Sequence, residues 1–229
     1  VLVALWDESG HTIPRPFLRL SHAEAMERFG IDKPDLRFGL ELGDYTAALG
    51  DDRAPFLADA GRNGIRFRGM LVPGAAALAR KDFDALTAVA KSAGATGLVW
   101  LKRGAEAWEG QGAKAVGASF VATLAGQPGD VFLAAVGADG VTSPALHAVR
   151  MAVIQRLGLT PTTPHAFLWV VDFPLFEPDP ETGKHIFVHH PFTSPHPDDI
   201  PFLETDPGRC RAIHYDAVYN GNELGSGSI

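Results

Sequence analysis

Short apolar runs in the middle of the chain alternate with stretches of helical pattern. Residues 65–72, 97–102 and 131–136 are rich in aliphatic, β-branched and aromatic side chains, and the third run lies between the turn pairs Pro128-Gly129 and Asp139-Gly140. Runs of this length between turn signals are typical of strands. The pattern therefore predicts three strands with helices between them.

Two helices are indicated by apolar positions three or four residues apart. The first carries Phe83, Leu86, Val89 and Ala90, and the second carries Leu146, Val149, Val153 and Leu157. We expect Gly94 to end the first helix. For the second we expect Ser143 as the N-cap, Pro144 at the first helical position and Gly158 beyond the last turn. Residues 43–160 are thus predicted to form a small α+β domain.

A further helix near the start of the chain is predicted by a capping box. Ser21 is followed three residues later by Glu24, so that each side chain can satisfy the other's backbone N–H. We expect this helix to run toward Gly30. Residues 31–38 then carry four charges, and Pro34 forbids helix at the residue before it. We predict a loop there, whose charges could be solvated, form ion pairs or make a binding edge.

The last part of the chain predicts an antiparallel sheet. Phe167–Val171 is an almost continuous apolar run, as expected for a strand covered on both faces. A hairpin through residues 179–183 could return to a second strand at 185–190, and residues 211–219 are a third candidate. We expect polar groups near the strand ends.

Composition changes twice along the chain and places boundaries near residues 43 and 160. Ten of the 17 Pro and six of the nine His lie after residue 160, whereas the middle is rich in Ala. The apolar content of 46% over 229 residues excludes disorder and allows one large domain or two small ones. The lone Cys210 cannot form an internal disulfide, which favours a reducing compartment.

The net charge and the two chain ends give further information on the kind of protein. A net charge of -7 is the wrong sign for a protein whose whole surface follows a phosphate backbone, although nucleic acid could still dock at one patch. The apolar run at residues 1–6 is too short to span a membrane. Because the chain starts without Met and stops just after Gly225-Ser226-Gly227-Ser228, we expect both ends to be cut.

Histidine and carboxylate side chains in the last part of the chain first suggest a metal site. The candidates are His185, His189, His190, His196, Asp198 and Asp199. Imidazole and carboxylate are common ligands, but the spacing matches no established metal motif. We favour surface positions for His185 and His196. If His189 and His190 are neighbours on a strand, one can face a pocket while the other packs outward.

Asp216 and Glu223 could hold Mg²⁺ against a polyphosphate, since this ion takes one or two carboxylates plus phosphate oxygens. On a regular strand residues seven apart face opposite sides, so the pair requires a turn or bulge, which Asn220-Gly221 could supply. The alternative is an ordinary hairpin turn with Glu223 exposed. The Gly-rich run from Gly225 could allow close approach of a ligand to the backbone.

Four segments, taken together, resemble bacterial-type aspartyl-tRNA synthetase. They read ERFGIDKPDLRFGLEL (27–42), LWVVDFPLFE (168–177), HHPFTSPHP (189–197) and YDAVYNGNELGSGSI (215–229). The resemblance implies part of a class II catalytic core on an antiparallel sheet at residues 1–42 and 161–229. It also implies that residues 43–160 are an inserted α+β domain, the GAD domain, which a subunit of amidotransferases shares.

The resemblance also implies roles for particular residues. His189 matches the family's aspartate-binding histidine, with His190 in support, and the glycines Gly225 and Gly227 lie beside the aspartate pocket. Glu223 matches the ATP-binding, Mg²⁺-linked glutamate, and Asp216 matches its acidic partner. One departure is Ser226, because the family usually has three consecutive glycines there.

The implied activity is ATP-dependent formation of aspartyl-adenylate from L-aspartate, followed by transfer to tRNA(Asp). The family implies a cytoplasmic homodimer with no membrane contact. We expect this chain to be a central fragment that is inactive alone, since the family's next residue after Ile229 is a substrate-binding arginine. Two alternatives from other classes stay open: a binding or regulatory module built on the middle domain, and a His/Asp metal hydrolase.

Overall fold

A computed structural model of the chain describes residues 2–13, 15–179 and 181–229. It divides into two compact units. Unit 1 comprises residues up to 26, 32–37 and 161–229, and unit 2 comprises Glu27–Ile31 and Phe38–Thr160. The helices are α1 (Leu2–Glu8), α2 (His22–Phe29), α3 (Arg80–Ser92), α4 (Gln111–Thr123) and α5 (Asp139–Leu157).

The strands, in chain order, are β1 (Leu18–Ser21), β2 (Gly43–Asp44), β3 (Arg66–Val72), β4 (Val99–Arg103), β5 (Trp108–Glu109), β6 (Val131–Gly137), β7 (Phe167–Val171), β8 (Phe176–Pro178), β9 (His185–Phe187), β10 (His214–Tyr219) and β11 (Asn222–Ser228). Helices and mainly antiparallel sheets together make an α+β fold, as predicted.

Unit 1 is built on a four-stranded sheet in the order β1-β7-β10-β11. The pairs β7/β10 and β10/β11 are antiparallel, whereas β1 runs parallel to β7. Leu168 and Val170 are buried under one face of β7, and Val218 of β10 shares that face through the strand register. This apolar layer holds β10 against β7, on the same face of the sheet as the polar residues discussed below.

The predicted second strand at 185–190 is wrong as part of this sheet. Only His185–Phe187 is extended, and it pairs with β8 in a separate two-stranded hairpin. All three residues of β9 are exposed, so no buried face holds the segment in the larger sheet. The connection through 179–183 does reverse the chain, but Pro180 of that turn lies outside the described residues.

Unit 2 is a five-stranded antiparallel sheet in the order β2-β3-β6-β4-β5 with a core on each face. Along β6, Val131, Leu133 and Ala135 join the core that includes α3 and α5 residues, and Phe132 and Ala134 join the core that includes α4 residues. This alternation is the period of two expected for a strand buried on both sides. The three predicted strands of this region are confirmed.

The helix predictions are confirmed except at the start of α5. This helix begins at Asp139, so Ser143 is not its N-cap and Pro144 lies inside it. Instead, the Ser143 hydroxyl accepts a hydrogen bond of 2.7 Å from Arg68 Nη1, in the buried interior of unit 2. Gly158 follows the last turn in the left-handed conformation, as predicted.

The capping box of α2 is present as the sequence predicts. The Glu24 carboxylate accepts from the Ser21 N–H at 2.8 Å, and the Ser21 hydroxyl accepts from the Glu24 N–H at 3.1 Å. Gly30 then has φ of +70°. The apolar start of the chain forms α1, and in the part that the structure describes no helix is long and apolar enough to cross a membrane.

The chain leaves unit 1 twice, for residues 27–31 and again for residues 38–160. Beside the second departure, the Arg37 carbonyl accepts from both the backbone N–H of Thr162, at 2.8 Å, and its hydroxyl, at 2.9 Å. The two ends that flank residues 38–160 are therefore adjacent within unit 1.

Candidate active site

The β10–β11 hairpin brings the two predicted carboxylates to one face of the sheet. Asn220 and Gly221 both have positive φ, 49° and 81°, as the tight turn between Tyr219 and Asn222 requires. The turn places Glu223 opposite Val218, and Val218 shares a face with Asp216 two residues before it. The turn that the sequence offered as a candidate thus gives Asp216 and Glu223 a common side.

A bulge in β11 then changes which residues follow Glu223 on that face. Gly225 pairs with Ala217 directly after Glu223 has paired with Val218, so Leu224 is the extra residue. Ser226 consequently lies opposite Asp216. The hydroxymethyl group of Ser226, where the family usually has glycine, therefore lies on the same side of the hairpin as Asp216 and Glu223.

Gly225 and Gly227 occupy the other face in register, opposite Ala217 and Tyr215. A Cβ at Gly227 would lie 2.4 Å from Tyr215 Oη, whereas a Cβ at Gly225 would meet nothing within 4 Å. Packing against Tyr215 is thus one physical reason for glycine at 227. Their assignment to an aspartate pocket stays a prediction.

Asp216 is the most electrostatically strained carboxyl of this face. Its residue is 5% exposed. Burial and the negative charges of Glu223 and Asp32 together raise the pKa of Asp216 to about 6, while the positive charge of Lys33 opposes the rise. Lys33 Nζ lies 3.6 Å from Glu223 Oε2. A cation is therefore already drawn to the place where two carboxylates converge.

The loop that carries Lys33 is ordered by an internal ion pair. The buried Asp35 carboxylate accepts from Arg37 Nε at 2.9 Å and from Arg37 Nη2 at 2.6 Å, a two-pronged contact. Asp35 also packs against the hairpin turn. A Cβ at Gly221 would lie 3.1 Å from the Cβ of Asp35. Three roles were predicted for the charges of residues 32–37: solvation, ion pairing or a binding edge. The structure shows the ion pair, and it places Lys33 at an edge that faces the carboxylates.

His189 and His190 lie in the loop after β9, so the expectation that they alternate on a strand is wrong. His189 reaches β10, where its ring stacks on His214 with centroids 3.7 Å apart. Burial and the neighbouring imidazole of His214 lower the pKa of His189. His190 is exposed, and its Nδ1 accepts from the Phe192 N–H at 3.3 Å.

The remaining histidines and carboxylates of the metal hypothesis are not gathered into a site. His185 is exposed, and His196 Nδ1 accepts from the Asp198 N–H. Asp199 is paired with Arg211, whose guanidinium and backbone N–H lower the pKa of this carboxyl to about 2. Among residues 2–13, 15–179 and 181–229, no group of three or more His, Cys, Asp or Glu could hold a metal ion.

A cavity of about 550 Å³ in unit 1 is lined by Arg19, Trp169 and Tyr215 among others. Through the register these residues lie on the sheet face away from Asp216 and Glu223. This cavity lacks the paired carboxylates, so we place the candidate site on the face of Asp216.

His214 is the residue at this site that sequence reasoning missed. Its Nε2 lies 3.1 Å from Asp216 Oδ1. The available signal was its position two residues before Asp216 on a predicted strand, which gives the two side chains one face.

Comparison with known proteins identifies the family of the chain. The family model described as tRNA synthetases class II (D, K and N) matches residues 2–229. The chain therefore belongs to the class II tRNA synthetases of this group.

Three individual proteins show which members of that class the chain is similar to. The chain is 44% identical over 225 residues to an aspartate-tRNA ligase of Geobacillus kaustophilus, covering 96% of this chain and 38% of that protein. It is 42% identical to the aspartate-tRNA ligase of Listeria monocytogenes, with 95% and 38% covered. It is 41% identical to an aspartate-tRNA(Asp/Asn) ligase of Caldanaerobacter subterraneus, with 93% and 37% covered. The chain thus spans less than two fifths of the length of these relatives.

Proposed function

We propose that this chain forms part of the catalytic region of an aspartate-tRNA ligase. The reaction is ATP-dependent activation of L-aspartate to aspartyl-adenylate, followed by transfer of the aspartyl group to tRNA(Asp). Support comes from the family match and from the names of the relatives. The main structural support is that Asp216 and Glu223, which are seven residues apart in the sequence, lie on one face of the β10–β11 hairpin.

The residues on this face fit a magnesium ion bound with ATP. Mg²⁺ takes one or two carboxylates together with phosphate oxygens. Burial, and then the negative charges of Glu223 and Asp32, raise the pKa of Asp216 to about 6, and the positive charge of a divalent cation would oppose this rise. Asp216 and Glu223 would hold the ion, which when bound supplies charge neutralisation for the ATP phosphates.

We assign His189 to the aspartate substrate. Its ring is half-buried, and its lowered pKa keeps the imidazole neutral, with one N–H free to donate to a carboxylate and one nitrogen free to accept. His190 would support it by bonding the turn through the Phe192 N–H. We also assign Gly225 and Gly227 to the aspartate pocket, where only their backbone atoms would contribute, since both residues face the other side of the hairpin.

In this proposal the enzyme has two parts that follow the two units except at residues 27–31 and 38–42, which lie in unit 2. Residues 1–42 and 161–229 would be segments of the catalytic core, and residues 43–160 the inserted GAD domain. The whole enzyme would be a cytoplasmic homodimer acting on L-aspartate, ATP and tRNA(Asp). Because the chain spans about 38% of the relatives' length, we propose that it is inactive alone.

Aspartate-dependent pyrophosphate exchange by the full-length protein tests the proposal. His189→Ala and Glu223→Ala should each lower the rate about 100-fold or more, because each removes a polar contact to a charged reactant. Glu181→Ala, an exposed change in the 179–183 turn, is the matched control and should retain the wild-type rate. Retention of exchange by both site variants would favour the binding-module alternative.

Two further measurements separate the remaining parts of the proposal. The 229-residue chain alone should show no exchange, and turnover by it would contradict the inactivity prediction. Charging of purified tRNA(Asp) and tRNA(Asn) by the full-length enzyme then identifies the tRNA, because relatives of both names have similar identity to this chain.

A further inference from the structure

Two aromatic rings, those of His214 and Phe173, contact His189 from two directions. The rings of His189 and His214 are nearly parallel, at 12°, with centroids 3.7 Å apart. Phe173 presents its ring at about a right angle to both, at 5.1 Å from His189 and 4.9 Å from His214. Since the loop around His189 has no strand partner, this stacking is what orients its imidazole.

His214 also contacts the carboxylate at the other end of the site. The distance from His214 Nε2 to Asp216 Oδ1 is 3.1 Å, and the two side chains are 12% and 7% exposed. When Asp216 is ionised its carboxylate only accepts, so Nε2 of His214 would carry the proton and donate.

We infer that His214 is a positioning residue that links the aspartate-binding histidine, His189, to the metal-binding carboxylate, Asp216. One face of its ring fixes the plane of His189, and its Nε2–H fixes one oxygen of Asp216. The inference rests on the proposed function and deepens it, because it names a side chain that sets the relative placement of the aspartate and magnesium subsites.

Two substitutions at this position separate the two contacts. His214→Ala removes the stacking surface and the hydrogen bond, whereas His214→Phe keeps an aromatic face and loses only the donor. We expect His214→Ala to weaken L-aspartate binding about 10-fold. His214→Phe should retain most of the aspartate affinity and lose affinity for Mn²⁺, the probe used for the carboxylate pair, by a similar factor.

His165 provides the matched control. Its ring also stacks on a β10 residue, Tyr219, and its Nδ1 is 2.8 Å from the Tyr219 hydroxyl, but it lies away from the carboxylates. His165→Ala should therefore leave aspartate affinity unchanged. Thermal unfolding of each variant identifies any that fail to fold, and His214→Phe keeps the test open if His214→Ala does so.

Binding is measured on the full-length protein by calorimetry, with L-aspartate in the absence of ATP and with Mn²⁺ separately. A double-mutant cycle of His214→Ala with His189→Ala should be non-additive for aspartate binding. Once the His189 ring is removed, His214 has no ring left to orient. An additive cycle, or aspartate binding by folded His214→Ala within twofold of wild type, would overturn the inference. Absence of aspartate binding and exchange in the wild-type protein would instead overturn the proposed function.

Discussion

Lys33 Nζ lies 3.6 Å from Glu223 Oε2, so the loop after α2 places a cation beside the acidic face of the β10–β11 hairpin. The loop can do this because Asp35 and Arg37 tie it into a fixed shape. A segment that the sequence left open between solvated and binding roles is therefore part of the electrostatic environment of Asp216.

Replacement of Lys33 by Met should raise the pKa of Asp216 further above its ordinary value. The positive charge of Lys33 lowers that pKa, and its loss leaves Glu223 and Asp32 unopposed. Since Lys33 is partly exposed, we expect a shift of a few tenths of a pH unit. Carboxyl ¹³C NMR of Asp216 measures it, and exposed Lys184→Met should give no shift. A lower pKa in the Lys33 variant would contradict the expected sign.

Asp216→Asn should change how the stability of unit 1 depends on pH. The folded pKa of about 6 is above the unfolded value, so the folded state binds more protons between about pH 4 and 6. Wild-type stability relative to the variant should therefore fall as pH rises through this window, by about 3 kcal/mol at most. Urea denaturation at several pH values provides the comparison. A constant difference from pH 4 to 7 would show that Asp216 titrates normally.

Asp199→Asn should have the opposite pH dependence. Arg211 lowers the pKa of Asp199 to about 2, so the ionised carboxylate stabilises the folded state above the unfolded pKa. This contribution is lost as pH falls through about 2. We expect the variant to be less stable at pH 7 by about 1 to 3 kcal/mol, with the difference shrinking in acid. The same urea experiment measures it, and a difference that grows toward low pH would contradict the prediction.

Gly227→Ala should destabilise unit 1, and Gly225→Ala should not. The new methyl group at 227 would lie 2.4 Å from Tyr215 Oη, whereas the one at 225 has open space. We expect a cost of about 1 kcal/mol, since the partly exposed Tyr215 ring can shift. Thermal unfolding measures the cost. In a Tyr215→Ala background the effect of Gly227→Ala should vanish, and its persistence there would assign the cost to the backbone.

Local sequence signals predicted the elements whose structure depends on nearby residues. The capping box of Ser21 and Glu24 satisfies itself within one turn, and the apolar runs of β3, β4 and β6 are buried by their own period. The shared face of Asp216 and Glu223 also depends on a local turn, at Asn220-Gly221. These features need no knowledge of distant partners.

Features set by distant partners were not predictable. The pairing of β9 with β8, and of β1 with β7, depends on which edge is exposed after folding. The helix α5 begins before Ser143, whose hydroxyl bonds the distant Arg68 and does not cap the helix. His214 carries no motif, and although its spacing from Asp216 indicates a shared face, its stack on His189 depends on a contact across the fold.

The hydrogen bonds between Thr162 and the Arg37 carbonyl hold together the two chain ends that flank residues 38–160. Arg37 and Thr162 both belong to unit 1, so these bonds are made without residues 38–160. A linker of a few glycines and serines could therefore replace residues 38–160 without stretching β1 away from β7. For the same reason, natural changes in the length of that region would leave the positions of Asp216 and Glu223 unchanged.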